Sequence, residues 1–255
     1  MARARIDGPV TGVQVIAKAA EILRALEAEP DGLSIRRLSE RLGLPRSTVH
    51  RIVAALQQER LVASASPQGR AGLGPGLYRL AAASLKSIRQ TLHPYLEELS
   101  RALGETVDLA ILEADRVLFV DQVLVPRRLQ AASAVGTYFP TYCTANGKAL
   151  LSELPLEEVE RLVPSELPSC SQIVWRPREA LLRELAAVRR THIAYDREEH
   201  TLGICGVGCA VRDAFGRLAA ISVPVPRQRF SGSEERIAAQ LLRVRAQILK
   251  DMGEE

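Results

Sequence analysis

The chain has 255 residues, 47% hydrophobic and 4% aromatic, with a formal net charge of +4. That length accommodates two domains with separate cores, and the composition is that of an ordinary globular protein. No apolar run approaches the roughly 20 residues of a membrane span, and the basic start MARARIDGPVTG lacks the apolar stretch of a secretory signal. A cytoplasmic protein without membrane contact is expected, its first arginines forming a disordered arm able to touch phosphates. The charge is unevenly placed. Residues 1–70 hold eleven Lys or Arg against seven Asp or Glu, whereas the other 185 residues balance at 23 of each. A basic N-terminal segment suits a polyanionic partner, although a solvated basic face explains the same asymmetry.

In chain order, Val15, Ile16, Ala19, Ile22, Leu23 and Leu26 predict an amphipathic helix. Ser34 is a plausible N-cap for a second helix, with Leu33 stapled onto Leu38, and Leu42-Gly43-Leu44 supplies its stop and turn. Pro45 then opens a third helix in which Val49, Ile52, Val53 and Leu56 form a buried stripe. Ser47, Arg51 and Ala54 project opposite that stripe, with Thr48 and His50 on its shoulders. Donors, one cation and a small residue on one helix face suit a DNA groove. Ser47, His50 and Arg51 are expected at base edges, with Arg46 and Thr48 on phosphates. Arg36 and Arg37 are plausible backbone contacts, and Arg70 would reach the backbone or minor groove from a wing. That wing is predicted from Leu61–Ser64 running into the turn Ser66-Pro67-Gln68-Gly69-Arg70. The competing reading is a helical hairpin used only for packing or protein docking; the helix before it and the wing after it favour DNA.

Leu73-Gly74-Pro75-Gly76-Leu77 breaks structure, after which one helix is expected over Tyr78–Ser87 and another over Ile88–Leu103. Domain limits of 1–75, a linker helix at 76–90 and a second domain at 91–255 follow. From Gly104 the texture becomes β-rich, with strands expected at Thr106–Leu112, Arg116–Val125, Leu129–Val135, Ile193–Tyr195, Gly203–Arg212 and Leu218–Val225. Helices are expected at Ala145–Leu154, Pro177–Arg190 and Ser233–Met252, which makes the second half an α+β domain. Cys143, Cys170, Cys205 and Cys209 show neither a CxxC pair nor a zinc-finger spacing and are expected to be free thiols.

Several blocks occurring in order resemble the IclR family of bacterial transcription regulators over essentially the whole chain. They are VQVIAKAAEILRAL, GLSIRRLSERLGLPRSTVHRIVAAL, LGPGLYRLA, ETVDLAILEADRVLFVDQV, VGTYFPTYCTANGKALLS and YDREEHTLGICGVGCAVRDAFGRLAAISVPVP. The resemblance implies an α+β protein of two domains: an N-terminal winged helix-turn-helix, a linker helix and a C-terminal GAF-like effector domain. It further implies a homodimer or dimer of dimers on double-stranded operator DNA, controlling a catabolic operon in response to a small organic acid.

Thr144 can cap a helix beginning at Ala145, aiming the amides of Ala145, Asn146 and Gly147 outward as a site for a carboxylate or phosphate. Gly147, without a side chain, would let such a ligand approach closely. Walker A would require glycine where Tyr142 stands, so ATP is not expected. Carried over from the family by position, the effector residues are Cys143, Thr144, Ala145, Asn146, Gly147, Asp196, Ile204, Gly206 and Ser222. Many members have cysteine where Gly206 stands and a second serine near Pro224. Their loss enlarges the pocket and moves the expectation from short keto acids toward an aromatic acid, with Tyr138 and Tyr142 nearby. Glu198, Glu199 and His200 are weighed as metal ligands and read instead as a solvated loop. No cofactor is called for, and neither GxSxG nor HExxH occurs. The rival functions are an enzyme tethered by its winged helix and a winged helix used for protein contacts.

Overall fold

In a computed structural model, residues 14–64, 69–127, 129–131, 133–171, 177–213 and 215–252 are described. The N-terminal arm and Ser66-Pro67-Gln68 at the wing tip lie outside them. Two compact units divide at Lys86/Ser87.

The first unit packs helices α1 (Gln14–Glu27), α2 (Ile35–Leu42) and α3 (Arg46–Gln58) beside the antiparallel strands β1 (Val62–Ser64) and β2 (Ala71–Leu73). Ile22 and Leu26 of α1, Leu38 of α2 and Val49, Ile52, Val53 and Leu56 of α3 share one core. Each such burial contributes roughly 1.5–3 kcal/mol. Ser34 caps α2 by accepting the Arg37 amide at 3.3 Å. Gly43 ends the helix at φ 65°, a conformation that disfavours a side chain. Pro45 is the residue just before α3, and its carbonyl accepts the amides of Thr48 and Val49. Leu33 exchanges two 2.8 Å backbone hydrogen bonds with Ala71, fastening β2 to the segment before α2.

The two helices expected after the wing are one, α4 (Gly76–Leu103). Nothing in SLKSIRQ interrupts the hydrogen-bond ladder, and the helix continues through Pro94 at the loss of one donor.

The second unit holds a six-stranded antiparallel sheet, β5-β4-β3-β8-β7-β6. Its strands are β3 (Val107–Glu113), β4 (Arg116–Val123), β5 (Tyr138–Pro140), β6 (Ala194–Arg197), β7 (Ile204–Arg212) and β8 (Leu218–Pro226). Among the described residues of 129–135 no strand forms; the third strand is instead Tyr138–Pro140, paired with Arg116–Leu118. Its short, mixed sequence has no alternation to reveal it. The helices are α5 (Ala145–Ser152), α6 (Leu156–Leu162), which the sequence reading missed, α7 (Arg178–Thr191), α8 (Arg227–Phe230) and α9 (Glu234–Met252). Alternation along each strand separates two faces. Ala110, Ala194, Ala210 and Ala220 meet Ala149 and Leu150 of α5 and Val188 of α7. Cys209, one residue out of phase, lies 3.9 Å from the Leu241 carbonyl of α9. Asp213 closes the β7–β8 hairpin by accepting the Phe215 and Arg217 amides, both at 2.9 Å.

Candidate functional site

Beyond the N-terminus of α5, its face of the sheet is left uncovered and becomes the floor of a cavity of about 270 Å³. The registers explain which residues lie there. Asp196 pairs with Gly206 and Gly206 with Pro224; in the next row Gly208 pairs with Ser222 and Ser222 with Asp108. These residues share phase with the alanines under α5; all but Gly208 line the cavity, and Gly206 and Ser222 are small, so the floor is low. Ala145 sits directly over Gly208, where an added Cβ would come within 3.2 Å of the Ala145 backbone. Phe119 and Phe139 wall one side, their rings edge to face at 4.9 Å, and His200 stacks on Phe139 at 4.1 Å. Burial holds His200 below its usual pKa, which favours the neutral ring. Gln130, Ala131 and Ser133 close the rim.

Thr144 caps α5, accepting the Gly147 amide at 3.1 Å while donating to the Pro140 carbonyl. Asn146, only 2% exposed, lines the cavity, yet neither atom of its carboxamide has a partner among the described residues. An unsatisfied buried amide costs about 1–3 kcal/mol, which makes this group a candidate ligand contact. Two carboxyls complete the lining. Asp108 accepts from Gln122 at 2.6 Å and Ser133 at 2.9 Å, and burial pushes it up to about 7. Asp196, which accepts the Glu199 amide at 2.8 Å, is likewise pushed up to about 7, chiefly by burial. Behind α5, the fully buried Lys148 ammonium bonds Glu184 at 2.8 Å and Glu199 at 2.8 and 2.9 Å.

Of the nine residues carried over to the effector site, Thr144, Ala145, Asn146, Asp196, Ile204, Gly206 and Ser222 line this cavity. Cys143 and Gly147 do not. Cys143 is turned away into a disulfide with Cys170, which corrects the expectation of four free thiols; Cys205 and Cys209 are free and buried. The cysteines lie 27 residues apart, a spacing that reveals nothing until the fold closes the gap. Gly147 faces inward, where a Cβ would collide with the Thr141 backbone, so its missing side chain serves packing and not ligand approach. Tyr138 and Tyr142 are also elsewhere. Tyr138 donates to Glu113, and Tyr142 lies beside Cys143 and Leu167. The aromatic wall comes from Phe119, Phe139 and His200, which the sequence reading did not select. Asp108 was missed as well, although an aspartate within VDLAILE is the kind of anomaly that flags a site. Glu198, Glu199 and His200 diverge. Glu198 pairs with Arg227 at 2.9 Å, Glu199 with Lys148, and His200 with Phe139.

In the first unit, Arg46, Ser47, His50 and Arg51 are exposed on α3, with Thr48 half-buried, and Arg70 is exposed just before β2. Arg36 is exposed too, but bonds Glu40 one turn on at 2.8 Å.

Comparison with known proteins agrees with this architecture. Residues 15–65 match the IclR helix-turn-helix domain and residues 80–250 the C-terminal domain of the bacterial transcriptional regulator IclR. HTH-type transcriptional regulator Rv1719 of Mycobacterium tuberculosis is 52% identical over 91% of this chain and 89% of its own length. The regulator TtgV of Pseudomonas putida is 35% identical over 96% and 94%. The crystal structure of an IclR homologue complexed with 4-hydroxybenzoate, from Microbacterium hydrocarbonoxydans, superposes with a TM-score of 0.81. It is 23% identical and covers 94% of this chain and 100% of that one, a likeness of fold. The chain therefore belongs to the IclR family of transcriptional regulators, with a DNA-binding helix-turn-helix domain and a C-terminal effector domain, and is not an enzyme.

Proposed function

We propose that this regulator works in the cytoplasm as a homodimer or dimer of dimers, reading a palindromic operator with α3 and answering to a small organic acid bound at the N-terminus of α5. Ser47, His50 and Arg51 face base edges, Arg46 and Thr48 hold phosphates, and Arg36 and Arg70 add backbone contacts. Arg36 would exchange its exposed pairing with Glu40 for a phosphate at little cost. The effector's carboxylate takes the amides at the start of α5, where the helix dipole favours negative charge. Its ring lies against Phe119 and Phe139, and its polar substituents answer Asn146 and the two carboxyls of the floor. The observation that carries this reading is the unpartnered carboxamide of Asn146 in a cavity at a capped helix N-terminus. A carboxylate must share the cavity with Asp108 and Asp196, so binding is expected to weaken as pH rises through about 7 and these groups ionise.

Two measurements test the reading. Genomic fragments retained by the purified chain at physiological salt should include its own promoter, held better than scrambled DNA of the same composition. Melting shifts with a panel of organic acids, 4-hydroxybenzoate among them, should single out an aromatic member, and Asn146→Ala should abolish that shift. Equal retention of scrambled DNA would refute the regulator; an unshifted panel would refute the acid.

A further inference from the structure

Cys143 immediately precedes Thr144, the cap of α5, and bonds Cys170 with 6.7 Å between the two Cα atoms. The bond joins the helical wall of the cavity to the segment 168–171. That segment is also fastened to the loop after β6, since the Ser171 amide donates to the Glu199 carbonyl at 3.1 Å. Glu199 in turn holds Lys148 of α5, and its neighbour His200 lines the cavity. Opening one sulfur–sulfur bond therefore releases the covalent tie between the cap turn of the effector site and 168–171.

The compartment gives this arrangement its meaning. On the reading above, on which this step rests, the protein works beside the chromosome in a reducing cytoplasm. Disulfides there are usually transient and redox-sensing, not permanent braces. Reactivity would concentrate on this pair. Cys170 is the less buried partner, whereas Cys205, which also lines the cavity, and Cys209 are buried in β7 and pushed up to about 11 and about 12, which keeps them protonated.

We propose that Cys143 and Cys170 form a reversible thiol-oxidation site through which hydroperoxides stiffen the α5 wall of the effector cavity. The Cys170 thiolate attacks one peroxide oxygen; the O–O bond breaks, hydroxide (or alkoxide) leaves, and the sulfur, oxidised by two electrons, becomes a sulfenic acid. The Cys143 thiol then attacks that sulfur, forming the S–S bond and releasing water. A cellular dithiol reverses the step by exchange and leaves as its own disulfide. In the oxidised form the turn 141–144 is anchored to 168–171; in the reduced form it relaxes and the first amides of α5 open more often.

The full-length chain serves for the test. Fully reduced protein, unfolded in guanidinium for the count, should titrate as four thiols, the number of cysteines in the sequence. Stoichiometric hydrogen peroxide should remove two of them, with a peptide map joining 143 to 170, and millimolar dithiothreitol should restore them. Hydrogen exchange of amides 143–148 should slow by about tenfold on oxidation while the β7 amides stay unchanged. Cys170→Ser, and separately Cys143→Ser, should hold those amides at the fast rate under both conditions. Four thiols surviving peroxide, over-oxidation without a cross-link, a bond that dithiothreitol leaves intact in the folded chain, or equal exchange in the two states would each overturn the proposal. Retention of promoter DNA by the reduced chain reads the regulator proposal separately, so the two failures are distinguishable.

Discussion

Lys148→Met is the most searching perturbation of the effector domain. The ammonium it removes is fully buried and touches two carboxylates, Glu184 with 21% of its side chain exposed and Glu199 with 5%. Methionine fills nearly the same volume, so packing changes little, but Glu199 is left as a buried charge without its counter-ion. Breaking a buried pair from one side costs about 3–5 kcal/mol, because the abandoned charge has lost both water and its counter-ion. Native-state hydrogen exchange in the full-length chain reads this directly. The central β7 and β8 amides are expected to open only with the whole domain, and the loss predicts exchange faster by about 10²–10⁴-fold. Adding Glu199→Gln to Lys148→Met removes the stranded charge, and the new carboxamide oxygen can still accept the Arg197 amide that Glu199 now holds at 3.3 Å. About half the loss should return. A single variant exchanging within a factor of a few of the parent, or a double variant no slower than the single, would refute the assignment of this network to domain stability.

Arg51→Ala should relax specificity at one operator base at a cost of about 1–3 kcal/mol, measured by selection on randomised sites; a uniform loss across sequences would make Arg51 a phosphate contact. Gly147→Ala drives a methyl into the Thr141 backbone and should cost at least about 3 kcal/mol or prevent folding, seen as a lowered melting temperature. A fully stable Gly147→Ala chain would contradict the packing described for α5. Asp108 and Asp196 are raised to about 7, so between pH 5 and 7 the folded chain holds protons that the unfolded chain has released. Stability should therefore fall as pH rises through this window, by about 1.4 kcal/mol per pH unit for each group in the steepest part, and level off above it. Asp108→Asn should roughly halve the slope of urea midpoints recorded across this range, leaving the share of Asp196; an unchanged slope would show that Asp108 is not one of the groups responsible.

Much of this was legible in the sequence where local chemistry decides. The cap at Ser34, the turn at Gly43 and the stripe from Val49 to Leu56 each rest on residues within one helix or its ends, where capping and periodicity act over a few positions. Thr144 before α5 was readable for the same reason, as was the β7–β8 hairpin around Asp213. The linker was misjudged as two helices because no residue near 87 marks a break and continuity carries no signal of its own. Tyr138–Pro140 owes its pairing to β4, and no pattern of three residues encodes that.

The order of side chains by itself determined a trihelical unit with a wing, a β-rich partner domain and a helix capped by Thr144, because each follows from neighbours along the chain. Only tertiary structure decided what fills the space in front of that helix. Asp108, Phe119, Phe139 and His200 come from four separate stretches, and sheet register together with the loop after β6 brings them to one floor and wall. The same closure turned Cys143 away from the cavity toward Cys170 and pressed Gly147 onto Thr141. Side-chain direction is set by what packs from a distance, and the residues adjacent in sequence hold no record of it.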